Sequence, residues 1–340
     1  MTSRTAMTGT RGALAMRTAR EHDISSNILM ILMQHQRLAK KGTCTSRPCE
    51  SCIAVHRKRV AQFVSRGVAV DFALPAFPGK SPNKSKVIGV SPDMAEQLSL
   101  DFLRKVCDQI QETYAPGARI IICSDGHVFS DLVHIADADI ISYQAELRVM
   151  MGEADPGPLN VFGLDREYRG RTYEKMRLLL MERYGEGVDE LKRQVRRRGD
   201  LLTLYRGITR FLLEDADMPG YNKSRAALQR ECRERAYGVI QRSRAWGRLI
   251  EERFPEAVRL SIHPQPCGSP KLGINLLETS DNWITPWHGT AVDVGGRFVL
   301  MKRYQAEASG AELIYLHGRP SHYVARQPHL SSNNSFGLVA

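Results

Sequence analysis

Three lysines crowd one short stretch of this chain. The segment Leu74–Asn83, LPAFPGKSPN, runs on into Lys84, Ser85 and Lys86, so Lys80, Ser81, Asn83, Lys84 and Lys86 share a single loop. Ammonium groups beside hydroxyls and an amide make charge-assisted hydrogen bonds to a phosphate or carboxylate. The stretch is either such an anion cradle or an exposed basic loop. It is not a P-loop, because the G-x-x-x-x-G-K-[ST] spacing is absent.

Three further groups have chemical potential. Cys123-Ser124-Asp125-Gly126-His127 offers a carboxyl and an imidazole for proton transfer, or only an Asp-Gly turn. Arg259, Ser261 and His263 alternate with Leu260 and Ile262, so on a strand the three polar side chains share one face. That face lines a cleft or is the solvated side of an edge strand. Lys271, Gly273 and Asn275 repeat the pattern, and Trp283 and Thr285-Pro286-Trp287-His288 follow. Two tryptophans beside a histidine and a basic face suit a flat aromatic substrate with a charged end, or are ordinary core. Finally, Cys44, Cys49, Cys52 and His56 have C-x4-C-x2-C-x3-H spacing. Three thiolates and an imidazole can hold a structural zinc tetrahedrally, although the spacing matches no standard finger and His56 alternatively sits on a helix face.

The elements that must position these groups read as follows. Ser25 or Ser26 can cap a helix over Ile28–Leu38, and a second helix is expected near Ala54–Ser65. Val68–Leu74, between Gly67 and Pro75, reads as a buried strand, and Pro75–Ser91 must be loop. Ser91-Pro92 is expected to open a helix, with Pro at its first position. Met94, Leu98, Phe102, Val106 and Ile110 then form a stripe against a sheet. Arg119–Cys123 is a second buried strand, which completes a strand–loop–helix–strand unit of a parallel α/β layer. Glu167–Phe254 reads as largely helical, over Tyr173–Arg183, Val188–Arg197, Leu201–Leu213 and Ser224–Arg253. Strands return at Val258–Ile262, Leu272–Leu277, Ala291–Val294 and Phe298–Met301, the last two joined by Gly295-Gly296. One mixed α/β domain over 25–325 is expected, with a disordered tail over 1–24 and a flexible one over 326–340. The Arg- and Thr-rich start superficially mimics a transit peptide, and translation beginning near Met16 is an alternative.

Composition narrows the classes. With 340 residues, 42% hydrophobic and 25% charged, the chain can bury a sizeable core. No apolar run approaches the ~20 residues that span a bilayer, so no membrane role is expected. The net charge is +11, and the densest basic run is Lys192–Arg198, KRQVRRR, flanked by Glu186, Asp189, Glu190 and Asp200. That pattern reads as a solvated helix face, and no nucleic-acid signature accompanies it. Seven cysteines without a secretory signal fit a reducing cytoplasm rather than a disulfide framework. G-x-S-x-G, H-E-x-x-H and G-x-G-x-x-G are all absent, which removes support for serine hydrolase, zincin and dinucleotide readings.

Together, LPAFPGKSPN with KVIG and PDMAE, then SDGHVFSDLV, RAYGVIQRS-x-AW, RLSIHPQ and TPWH, resemble the pyoverdine/dityrosine biosynthesis family of isocyanide synthases. The resemblance is collinear from about Asn27 to Tyr323. It implies a Rossmann-like α/β fold. It further implies L-tyrosine or L-tryptophan as nitrogen donor and ribulose 5-phosphate as source of the isocyanide carbon, without a redox cofactor or catalytic metal. A secondary-metabolic pathway with an iron/2-oxoglutarate oxygenase partner is implied too, and one branch of the family is associated with an N-formyl tyrosine instead. For such substrates Lys80, Lys84, Lys86, Arg242, Arg259 and Lys271 are candidate anion ligands, supported by Ser81, Asn83, Ser243 and Ser261. Phe129, Trp283 and Trp287 are candidates for the ring slot. Asp125, His127, His263 and His288 are candidate proton carriers, and Lys80 is the candidate for a Schiff base with the ketose. Two features need separate mention: His127 stands where arginine is more usual, and the Cys44/Cys49/Cys52 cluster is not among the motifs that carry the resemblance. The competing readings are another sugar-phosphate aldolase or isomerase using the same loop, and a nucleic-acid-binding protein using Lys192–Arg198.

Overall fold

The computed structural model describes residues 5–39, 44, 49–152, 157–197, 199–216, 224–281 and 284–326. Five strands, β1 (Val70–Pro75), β2 (Ala118–Cys123), β3 (Leu159–Phe162), β4 (Val258–Ser261) and β5 (Leu272–Gly273), form one sheet in the order β3-β2-β1-β4-β5. Every pairing in it is parallel. β1 pairs with β2 on one side and β4 on the other, so strand order reverses there, the position where an open parallel sheet leaves a crevice.

Strict alternation of side chains explains why the sheet is covered on both faces. Phe72, Leu74, Ile120 and Ile122 join a core with α1 (Thr5–Met33), α2 (Glu50–Arg66), α3 (Met94–Thr113) and, beyond α4 (Gly126–Val133), α5 (Asp137–Met150). The intervening Ala73, Ile121 and Cys123 turn the other way. There they meet the short α6 (Leu164–Glu167), α7 (Tyr173–Tyr184) and, past α8 (Val188–Arg196) and α9 (Asp200–Ala216), the long α10 (Arg225–Arg253) through Trp246, Leu249 and Ile250. α8 and α9 pack on α10 through Leu191, Val195, Ile240 and Leu212.

A second sheet stands apart from the first. It comprises β6 (Thr290–Val294), β7 (Arg297–Met301), then after α11 (Arg303–Ala308), β8 (Glu312–Leu316) and β9 (Arg319–Val324), in the order β7-β6-β9-β8. The strands of this α/β fold thus form two sheets, a parallel one flanked by helices and a mostly antiparallel one. Gly295 and Gly296, at φ 66° and 88°, make the expected β6–β7 hairpin.

Other differences have local causes. The first helix covers Thr5–Met33, so the tail boundary expected at residue 24 falls inside it. Residues 36–38 leave the helix to bridge Ile274 and Gln265. The C-terminal stretch 327–340 lies outside the described residues. α3 begins at Met94 rather than at Pro92 because Asp93 and Glu96 form a capping box: Asp93 Oδ1 accepts from Ala95 N (2.8 Å) and Glu96 Oε2 from Asp93 N (3.0 Å). Its sheet-facing stripe is Leu100, Leu103, Val106 and Ile110, while Met94 and Leu98 turn toward the second sheet.

That same helix start anchors the lysine-rich loop. Lys80 Nζ lies 2.8 Å from Asp93 Oδ2 and 2.7 Å from Glu96 Oε2, with all three side chains buried, and donates to Pro286 O at 3.1 Å. The Tyr143 hydroxyl donates to Glu96 Oε1 at 3.2 Å. Burial, with Asp93 beside it, pushes Glu96 up to about 8, while the two carboxyls hold Lys80 charged despite its burial. Lys80→Met strands two buried acids and is expected to lower the free energy of unfolding by about 3–5 kcal/mol. Denaturant titration checks this, and adding Asp93→Asn and Glu96→Gln to Lys80→Met should recover much of the loss.

Candidate active site

Register delivers the functional side chains to one edge. Pro75 pairs with Cys123 and Ala73 with Arg259, so β1, β2 and β4 end together. Asp125 follows β2 and caps α4 with its backbone: Val128 N donates to Asp125 O (3.0 Å), while the carboxylate caps no helix N–H. That carboxyl is half-buried, and burial pushes it up to about 7. Gly126 is required at the next position, because a Cβ there would stand 1.9 Å from Pro78 O. The carboxyl and the lysine-rich loop are therefore locked side by side.

Two imidazoles complete the group. His263, beyond β4, keeps solvent-accessible surface, yet the protein around it depresses its basicity to about 4, with Arg37 and Lys271 adding to the effect. His288, half-buried, is also held well below its ordinary value, by burial first and then by Lys86, His263, Lys80 and Lys302. Its Nδ1 is paired with the Thr285 hydroxyl at 2.8 Å, and its ring meets Phe211 edge-on at 4.9 Å. Both rings are neutral near pH 7 and can accept a proton.

Cations surround these groups. Arg259 is buried, donates to Gly247 O at 3.2 Å, and lies near Cys123, which in turn feels Asp125. Lys271 is exposed, and partial desolvation and Arg259 lower its pKa. Lys86 pairs with Asp215 Oδ1 at 2.5 Å and Glu214 Oε2 at 3.3 Å, and lies over the Phe211 ring at 5.4 Å. Asn83 Nδ2 donates to Glu214 O (2.8 Å), so the end of α9 is tied down over the loop. Cations able to take an anion and groups able to exchange a proton thus lie along this part of the fold.

The remaining candidates are placed elsewhere. Lys80 is the buried post described above, with three partners for its three N–H groups. Ser81 is buried and braces the loop: its hydroxyl accepts from Asn83 N (3.2 Å) and its N–H donates to Trp287 O (2.9 Å). Lys84 is exposed. Trp287 is core, packed on Phe77 at 5.3 Å, and Phe129 packs in the apolar layer between sheet and α10. Ser261 shapes the turn into His263, accepting from His263 N at 3.1 Å. Trp283 lies outside the described residues.

Two expected site residues face a different interface. His127 is buried beneath Tyr173 (stacked at 3.6 Å) with Nδ1 3.0 Å from Asp137, a network closed by Arg177 and Ser130. Two positions further along, roughly 200° around the helix axis, it faces away from Asp125. Arg242 clamps α10 to α4 through Asp131 and Val128 O, and Ser243 is exposed on α10. Their motif holds helices together rather than lining the edge. Similarly, His56 is not part of the thiol cluster. It is buried on α2, and its place beside Cys44, Cys49 and Cys52 is taken by Cys267.

Sequence reasoning missed Phe211, Glu214 and Asp215, which look like one face of an ordinary amphipathic helix. It also missed Arg37, buried and donating to Ile262 O (2.7 Å) and Ile284 O (3.2 Å). A charged pair ending an apolar helix just before a break was the one available signal for Glu214 and Asp215.

Comparison with known proteins agrees with the site's composition. The family described as "Pyoverdine/dityrosine biosynthesis protein" matches residues 60–314. An L-tyrosine isonitrile synthase of Xenorhabdus nematophila is 46% identical over 308 residues, covering 89% of this chain and 92% of that protein. One from Pseudomonas aeruginosa is 50% identical over 273 residues, covering 79% and 83%. An L-tryptophan isonitrile synthase of Fischerella ambigua is 44% identical, covering 88% and 91%. The crystal structure of the PvcA protein from Pseudomonas aeruginosa superposes with a TM-score of 0.82 at 46% identity, over 88% of this chain and 99% of that one.

The raised Asp125 pKa carries a stability cost with a definite sign. Between the unfolded carboxylate range, ~4, and about 7, only the unfolded chain ionises, so stability falls as pH rises through that window. Asp125→Asn is expected to stabilise the protein more at pH 8 than at pH 4. Thermal unfolding at the two pH values checks this, and an equal or reversed difference would remove Asp125 from a desolvating cleft.

Proposed function

The chain belongs to the pyoverdine/dityrosine biosynthesis family, and from that premise we propose that it is an isonitrile synthase. Its substrate in this reading is the α-amino group of an aromatic L-amino acid, L-tyrosine preferred over L-tryptophan because the two relatives with the highest identity among those compared act on tyrosine. Ribulose 5-phosphate donates the isocyanide carbon. The observation that carries the reading is that β1, β2 and β4 end together, so Asp125 and His263 follow strand ends at one sheet edge, with His288 in electrostatic reach of His263 and Lys86.

Each group has work to do. The cations suit the sugar phosphate and the amino acid carboxylate. A neutral imidazole, His263 or His288, takes a proton from the substrate ammonium. The freed amine attacks the C2 ketone, the new N–C2 bond forming as the carbonyl electron pair moves to oxygen. Asp125, poised near neutrality, protonates that oxygen. Loss of water gives the imine. One flanking sugar carbon then leaves as an aldehyde, its hydroxyl giving up a proton while the C–C electron pair stays on C2. The other leaves with its C–C pair and takes up a proton, so C2 remains on nitrogen as the isocyanide carbon with no net redox change. Lys80 is assigned to holding the loop: its ammonium is buried among three acceptors and has no free lone pair with which to form a Schiff base. The product's consumer is proposed to be an iron/2-oxoglutarate oxygenase. The seven free cysteines suit a reducing cytoplasm, and no helix among the described residues is long and apolar enough to cross a membrane.

Incubation with L-tyrosine or L-tryptophan and C2-labelled ribulose 5-phosphate is expected to yield the isonitrile carrying the label, detected by mass spectrometry. Absence of labelled product with both amino acids would overturn the reading. With ribulose 5-phosphate alone, borohydride should leave no sugar adduct on Lys80. An adduct there, mapped by peptide mass, would instead favour a covalent first step.

A further inference from the structure

Away from the active edge, Cys44, Cys49, Cys52 and Cys267 bring their four sulfurs within 4.8 Å of one another. Three come from one short segment, and the fourth lies more than two hundred residues further along. The separations are 3.8 Å for Cys44–Cys52, 3.5 Å for Cys49–Cys267 and 3.6 Å for Cys52–Cys267. A disulfide needs about 2.05 Å. A tetrahedron of sulfurs at ~2.3 Å from a central Zn²⁺ has edges of roughly 3.8 Å. The cluster therefore has the dimensions of a cage for one ion.

We propose that these four cysteines bind a structural Zn²⁺ that clamps the segment after β4 to the start of α2.

The surroundings fit a tetrathiolate. Cys49 is the N-cap of α2 and Cys52 lies in its first turn, where unpaired N–H groups and the helix dipole favour thiolates. Gln36 Nε2 donates to Cys52 Sγ at 3.3 Å, the outer hydrogen bond that orients a metal-bound sulfur. Cys49 and Cys52 are buried, so four thiolates with no cation between them would be strongly unfavourable. A soft, all-sulfur, tetrahedral set selects zinc over oxygen-seeking cations.

The clamp has a consequence for the active edge. Cys267 lies four residues beyond His263, and the stretch between is stitched to the chain after α1 by Gln265 N to Arg37 O (3.0 Å) and Ala39 N to Gln265 O (2.9 Å). An ion on Cys267 fixes the far end of the segment that presents His263. It acts as a positioning device and touches no substrate.

Elemental analysis of the full chain, purified reduced and without chelator, is expected to find one zinc per chain. Cys44 and Cys267, which are half-exposed, should resist iodoacetamide until a strong chelator removes the metal. Cobalt added to the stripped protein should produce the visible absorption of a tetrahedral thiolate site. Cys267→Ser should abolish metal binding and lower the melting temperature, whereas His56→Ala should keep the zinc. If Cys267→Ser does not fold, the alkylation and cobalt measurements on the unmodified chain decide alone. A reduced, folded chain that holds no zinc and takes up no cobalt would overturn the proposal. So would a disulfide within the cluster, or zinc retained by Cys267→Ser but lost from His56→Ala.

Discussion

One buried ammonium organises the catalytic half of this molecule. Lys80 sits between the acids that open α3 and the carbonyl of Pro286, so it ties together three segments that share no strand. Without such a tie the Pro75–Ser91 loop would have little reason to hold one shape, being rich in residues that solvate easily. A charge this deep is tolerable only with several partners, and those partners are also the capping box of α3. Helix start, loop path and the turn bearing His288 are thereby one cooperative unit. Phe77, at φ 57°, marks where the loop is bent to reach it, and its carbonyl is held by Ser124 Oγ at 2.9 Å.

The second constraint is the parallel sheet. Parallel strands must all end at the same edge, and the loops that follow β1, β2 and β4 meet there. That geometry places one carboxyl and two imidazoles among several cations. It also explains the direction of each perturbation. The carboxyl moves up because it is desolvated without a direct partner, and the imidazoles move down because desolvation and nearby positive charge both oppose protonation. The carboxyl is thereby placed near neutrality, while both imidazoles stay uncharged there.

Much of this was legible in the chain itself. The strand–loop–helix–strand unit, the helical middle, the Gly-Gly hairpin and the family motifs follow from periodicity, turn chemistry and residue order. Asp125, His263 and His288 could likewise be singled out as candidates, since each follows a strand or a tryptophan-rich turn. Less legible were short elements such as β3, α4 and α11, where four to eight residues carry too little periodicity. Roles within a motif were the hardest. Lys80 and Lys86 look equivalent in sequence, yet one is a buried post and the other lies against an aromatic ring and an acid pair.

The sequence by itself determined the class of fold, the family and the set of residues available for chemistry, because local pattern and motif order depend only on near neighbours along the chain. The tertiary structure alone decided which of those residues meet. His127 lies two positions from Asp125, but little more than half a helical turn sends it to a separate network. Cys267 lies far from Cys49 yet joins it, in place of the nearby His56. Lys80, the residue most suited on paper to attack a ketone, is the one whose charge the fold consumes. Burial and partner choice depend on what packs above and below a side chain, and no spacing along the chain encodes that.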